Sequence, residues 1–97
     1  MDKQAILRRL TGSIKEIRQR FSVKSLSIFG SIARDEAGDN SDVDVLVAFN
    51  QKASFDIFMD LKFYLEELLE TSIDLVTDKA LRPQVRQAIE REMINVA

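Results

Sequence analysis

The sequence predicts an α/β (α+β) domain in which helices pack on a small mixed three-stranded sheet. Three observations carry this. Segments whose apolar residues recur every three or four positions alternate with short β-branched runs, in the order helix, strand, short helix, strand, helix, strand, helix. Only ten residues, Ile32 to Ser41, separate Gly30-Ser31 at the end of the first strand from Asp42 at the start of the second, which makes these two strands antiparallel neighbours. A full-length helix separates the second strand from the third and permits a parallel crossover.

Residues 3 to 21 read as an amphipathic helix, with Ile6, Leu10, Ile14, Ile17 and Phe21 as its apolar stripe and Asp2 as its N-cap. Its Lys3, Arg8, Arg9, Lys15, Arg18 and Arg20 read first as a solvated face. Val23 to Phe29 is the first strand, ended by Gly30. Ser31 to about Glu36 is a short helix, and Ala37 to Ser41 a polar turn. Asp42 to Phe49 is the second strand, apolar on both faces beyond Asp44 and so suited to the middle of the sheet. Phe55 to about Glu70 is helical, Ser72 to Thr77 is the third strand, and Pro83 opens a last helix predicted to run to about Asn95, with Val85, Ile89, Met93 and Val96 as its stripe.

Composition narrows the chemistry. With 45% apolar and 31% charged residues the chain has the balance of a folded globule. It contains no cysteine and no histidine, which excludes disulfides, Cys/His zinc sites, thiol catalysis and imidazole bases. Catalysis must rest on carboxylates, Lys/Arg, hydroxyls and backbone groups, and a bound metal would be a hard cation held by oxygen. The formal net charge of -2 argues against direct nucleic-acid binding. No apolar run is long enough to span a bilayer, the N-terminus does not read as a signal peptide, and the simplest location is the cytoplasm.

Asp42 and Asp44 form an Asp-x-Asp on a strand, so both side chains point to one face, about 7 Å apart. Two such carboxylates repel unless cations lie between them. Asp74 sits between Ile73 and Leu75 in the third strand; if that strand lies beside the second, Asp74 completes an acidic triad able to hold Mg²⁺, one ion or two. Alone, an Asp-x-Asp is often a turn cap, so the weight lies on the three together. Gly30-Ser31, where a strand opens into a helix, offers close backbone approach and a hydroxyl to a phosphate. Most Gly-Ser pairs are plain turns, and this one matters for its distance from the acidic pair. Arg34 can reach a phosphate oxygen or pair with Asp35, Asp39 or Asp42, and Ser41 reads as a turn residue supporting the aspartate loop. Together these residues describe a place for a metal-bound nucleoside triphosphate.

Gly30-Ser31, ten residues, then Asp42-Val43-Asp44 resembles the signature of the nucleotidyltransferase superfamily that includes DNA polymerase beta. The fuller strings Phe29 to Arg34 and Ser41 to Val47, with Ile73-Asp74-Leu75-Val76 and Ala80-Leu81-Arg82-Pro83, look like the minimal nucleotidyltransferase (MNT) family, and the resemblance covers essentially the whole chain as one domain, residues 1–97. It implies a polymerase beta-like nucleotidyltransferase fold, with the nucleotide on the edge carrying Gly30-Ser31 and contacts from Arg34 and Ser41. It implies that Asp42 and Asp44 bind two Mg²⁺ ions, and that Asp74 binds the catalytic ion and helps activate the acceptor. It implies ATP as substrate. It also implies a partner, a helical HEPN-domain protein usually encoded next door, typically an RNase toxin whose tyrosine receives AMP from its MNT antitoxin.

Two other functions fit the residues. A non-catalytic antitoxin would neutralise its partner by contact alone, through the basic first helix or an exposed apolar tail of Met93, Ile94 and Val96. A small-molecule nucleotidyltransferase, of the aminoglycoside type, would need another subunit to complete its pocket. A homo-oligomer and a hetero-oligomer are both compatible with the sequence.

Overall fold

The computed structural model describes residues 2–36 and 42–97. The chain runs α1 (Lys3–Phe21), β1 (Val23–Phe29), α2 (Gly30–Ala33), β2 (Val43–Phe49), α3 (Phe55–Leu69), β3 (Ile73–Thr77), a 3₁₀ turn (Asp78–Ala80), α4 (Pro83–Glu90) and β4 (Ile94–Asn95).

α1 begins where the Asp2 side chain accepts from the Ala5 N–H at 2.8 Å, satisfying a donor that the first turn leaves open. It ends at Ser22, in the left-handed conformation that commonly stops helices. α3 is capped the same way, Ser54 accepting from the Ile57 N–H at 3.2 Å. The α1 stripe of Ile6, Leu10, Ile17 and Phe21 is buried as the spacing predicts, with Ile14 at its margin. Leu61, Leu65 and Leu69 of α3 meet it, and both helices cover one face of the sheet, where Leu26, Ile28, Val43, Val45, Val47, Ile73 and Leu75 complete a continuous apolar core. Each such side chain contributes roughly 1.5–3 kcal/mol on leaving water. Because strand side chains alternate, Ser27, Phe29, Asp44, Leu46, Asp74 and Val76 lie on the other face.

The sheet order is β3-β2-β1-β4. β1 and β2 are antiparallel, and β2 and β3 parallel, as the connection lengths predict. The strand count differs from expectation: the described residues form four strands. The last helix stops at Glu90, short of Asn95, where the N–H groups of Glu92 and Met93 both turn back to the Ile89 carbonyl, at 3.0 and 2.8 Å. Ile94 and Asn95 then pair with Ile28 and Ser27 of β1, and the Val96 N–H donates to the Leu26 carbonyl at 2.8 Å. The reason is competition for backbone partners. Without β4, β1 would present an open edge, and Ile94-Asn95-Val96 alternates with the period of a strand. Pairing that edge outweighs another helical turn. Two expectations fall with it. Val85 is 46% exposed instead of facing the core, and the apolar tail is no free surface, since Ile94 and Val96 pack against the core.

Candidate active site

The sheet register gathers the site. Asp44 pairs with Phe29 on one side and with Asp74 on the other, so the end of β1 and the starts of β2 and β3 meet at one end of the sheet. In parallel strands, residues paired in register point to the same face. Asp44 is half-buried, whereas Asp42 and Asp74 are exposed.

Charge is concentrated at Asp44. Its carboxyl is pushed up from 3.8 to about 6, first by burial, then by the adjacent Asp74 charge and a hydrogen bond that lets the two share a proton, and last by Asp42; Arg34 opposes the rise. Asp44 and Asp74 are therefore the pair in contact, and Asp42 acts on them from further out. Among the described residues, no three carboxylates converge closely enough to grip one ion without adjustment. The donor chemistry nevertheless fits a divalent cation. The oxygens are hard, and two carboxylates held side by side against their repulsion are what a +2 charge between them would relieve.

Gly30 is fixed by geometry. Its φ of +73° is one that residues with a side chain rarely adopt, and a Cβ there would overlap the Asp44 carboxylate. The glycine thus lets the β1–α2 turn close onto the acidic pair. Its N–H is engaged by the Glu92 carboxylate at 3.1 Å. Ser31 follows, half-buried in the first turn of α2.

Arg34 makes neither of the aspartate pairs expected among the described residues. Its Nε–H donates to Glu36 at 3.0 Å and its Nη1–H to Glu92 at 2.8 Å. Both carboxylates raise the arginine further above its ordinary value, Glu92 most, and Arg34 with the Gly30 N–H holds Glu92 below the usual carboxylate range. Glu92 is the site residue that sequence reasoning missed. Placed in a helix it has no reason to meet Gly30. The strand-like alternation of Ile94 to Val96 was the signal that could have found it. Ser41 lies outside the described residues.

A separate groove of about 280 Å³, lined by Phe49, Lys52, Phe55, Phe58, Thr77 and Lys79 among others, opens at the opposite ends of β2 and β3. It shares no residue with the acidic cluster.

This fold, with a Gly-Ser turn closed over carboxylates on two parallel strands, is that of a nucleotidyl-transfer domain. The nucleotidyltransferase domain model matches residues 10–96, and the chain belongs to that family. Protein adenylyltransferase MntA of Thermococcus cleftensis is 41% identical over 87 residues, which cover 90% of this chain and 88% of that protein. A solved structure provisionally described as a minimal nucleotidyltransferase superposes with a TM-score of 0.83 at 35% identity, over 97% of this chain and 95% of the other. Two more distant structures share the fold. One is a toxin-antitoxin with AMP-PNP, at a TM-score of 0.74 and 18% identity over 90% of this chain and 72% of that one. The other is from a tri-AMPylated Shewanella oneidensis HEPN toxin in complex with MNT antitoxin, at a TM-score of 0.68 and 15% identity over 98% of this chain and 71% of that one.

Proposed function

We propose that this chain is a Mg²⁺-dependent protein adenylyltransferase that transfers AMP from ATP to a tyrosine hydroxyl of a HEPN-domain toxin, encoded beside it, and so acts as its antitoxin. The observation that carries the reading is the register that sets Asp44 beside Asp74 under the Gly30-Ser31 turn. The naming of the Thermococcus cleftensis relative as a protein adenylyltransferase supports the same chemistry. The presence of a HEPN toxin and of AMP-PNP in structures sharing this fold supports the partner and the substrate.

Asp42, Asp44 and Asp74 would hold Mg²⁺, as two ions, which when bound supply charge neutralisation at the triphosphate and a lowered pKa for the attacking hydroxyl. The residues do the rest. The Ser31 hydroxyl donates to a phosphate oxygen, and Arg34 offers the N–H groups that Glu36 and Glu92 leave open. The acceptor oxygen attacks the α-phosphorus, the bond to the β-phosphate oxygen breaks, pyrophosphate leaves, and the hydroxyl proton passes to the exposed Asp74 carboxylate. ATP supply places this reaction in the cytoplasm, and residues 1–97 act as one catalytic domain whose acceptor site is completed by the partner.

Labelled ATP, Mg²⁺ and the neighbouring gene's product test this directly. Label should appear on the partner and vanish with Asp42→Ala; no transfer, or transfer indifferent to that change, sinks the proposal. One observation favours a contact-only antitoxin: Phe55 and Phe63 of α3 are 74% and 55% exposed, two large apolar side chains left for a partner to cover. Protection of cells from the toxin by an Asp42→Ala/Asp44→Ala double variant would select that reading.

A further inference from the structure

Glu92 ties the C-terminal segment to the site. β4 pairs with β1 through Ile28 and Ile94, and continuing that antiparallel register by two residues sets Glu92 opposite Gly30. From there one carboxylate does two things: Oε1 accepts from the Gly30 N–H at 3.1 Å, and Oε2 accepts from Arg34 Nη1 at 2.8 Å. We propose that Glu92 is a positioning residue of the nucleotidyl-transfer site, holding the β1–α2 turn closed on Asp44 and keeping Arg34 oriented beside, and off, the acidic pair. The proposal rests on the reading of the site given above.

Three physical points support it. The Gly30 turn is the tightest point of the site, since its positive φ and its lack of a side chain are what admit Asp44. An N–H at such a turn, left without a partner, would have no reason to stay in that conformation, and a carboxylate is the strongest acceptor the chain can supply. Next, Arg34 is gripped at two points, Nε by Glu36 and Nη1 by Glu92, and two points fix the plane of a guanidinium. Three of its five N–H groups are left by these bonds, enough to meet a phosphate. Finally, a guanidinium next to two crowded carboxylates would otherwise fall onto them and block a cation. The carboxylate of Glu92, with 25% of its side chain exposed against 43% for Arg34, is the more shielded member of the pair and competes for the arginine from the other side.

The test compares Glu92→Gln and Glu92→Ala with the native chain in two ways. The first needs no activity: the ¹⁵N signals of the Gly30 amide and of the Arg34 Nη1–H, the group that Glu92 holds, are followed by NMR. Both should move in Glu92→Ala. In Glu92→Gln, which keeps an acceptor for Gly30 but no charge for Arg34, the arginine signal should move more than the glycine one. The second is transfer of label from ATP at a temperature where all three chains are folded. There kcat/KM should fall about tenfold to a hundredfold in Glu92→Ala, the worth of a charge-assisted hydrogen bond, and by an intermediate factor in Glu92→Gln. A lower melting temperature with unchanged kcat/KM would make Glu92 merely structural and overturn the proposal. A lower KM for ATP would make it a competitor for the phosphate position and overturn it equally. If Glu92→Ala does not fold, Glu92→Gln alone decides. If the native chain transfers no label, the adenylyltransferase reading fails on its own, and unmoved Gly30 and Arg34 signals remain the result that refutes the role of Glu92.

Discussion

Replacing Asp44 with asparagine should make the metal-free protein more stable while abolishing its activity. The side chain keeps its shape but loses a charge that the fold holds against its preference. In the folded chain the Asp44 carboxyl titrates near 6, against an ordinary 3.8. A difference of that size corresponds to about 3 kcal/mol between its protonation states. Asp44 is open to solvent on one side, so screening should leave about 1–2 kcal/mol. The sign follows from proton binding. Below about pH 4 the group is protonated folded or unfolded, and no penalty exists. Between 4 and 6 the folded chain binds the extra proton, so stability falls as pH rises. Above 6 the full penalty stands. Urea denaturation followed by circular dichroism from pH 4 to 7.5, with chelator present, should show Asp44→Asn and the native chain nearly equal at the acid end. They should separate to about 1–2 kcal/mol at neutrality, or roughly 5–15 °C in melting temperature. Taking the variant–native difference cancels carboxylates that do not act on Asp44, including Glu92, which titrates in the opposite direction, and leaves Asp44 together with its neighbours Asp74 and Asp42. Mg²⁺ should close the gap by stabilising the native chain alone. A variant no more stable than native at pH 7, or a gap that does not change with pH, would refute the reasoning.

Other changes probe other parts of the argument. Gly30→Ala should cost roughly 1–3 kcal/mol in a thermal melt, because the residue keeps a positive φ and its Cβ overlaps Asp44, and should abolish transfer with it. Ser31→Ala should leave the melt within about 0.5 kcal/mol of native while raising the KM for ATP about tenfold, the loss of one hydrogen bond to a charged group. An unchanged KM would remove Ser31 from the phosphate contacts. Leu65→Ala, at a fully shielded position between α3 and the sheet, should cost roughly 2–5 kcal/mol by denaturant titration.

The elements with strong periodicity were legible from the residues. α1, β1, β2, α3 and β3 form within a residue or so of where their apolar spacing places them, because each buries one stripe or one face against the same core. Even the mixed sheet followed, since ten residues are too few for a crossover and a full helix suffices for one. The C-terminus did not follow. Val85, Ile89 and Met93 do have helical spacing, but Ile94-Asn95-Val96 has strand spacing, and local pattern cannot rank the two. The open edge of β1 ranked them, and that edge exists only once the sheet has formed.

The same division runs through the site. Residue type and spacing alone limited the chemistry to carboxylates, Lys/Arg, hydroxyls and backbone groups, and made Gly30, Ser31, Asp42, Asp44 and Asp74 its candidates. Only the tertiary structure decided which carboxylates touch, that a side chain at Gly30 would overlap Asp44 while its N–H meets Glu92, and that Arg34 answers to Glu36 and Glu92. The physical reason is range. Period and spacing act between neighbours in sequence, whereas the hydrogen bonds that Glu92 accepts from Gly30 and Arg34 span 62 and 58 residues and come into being only when β4 closes on β1.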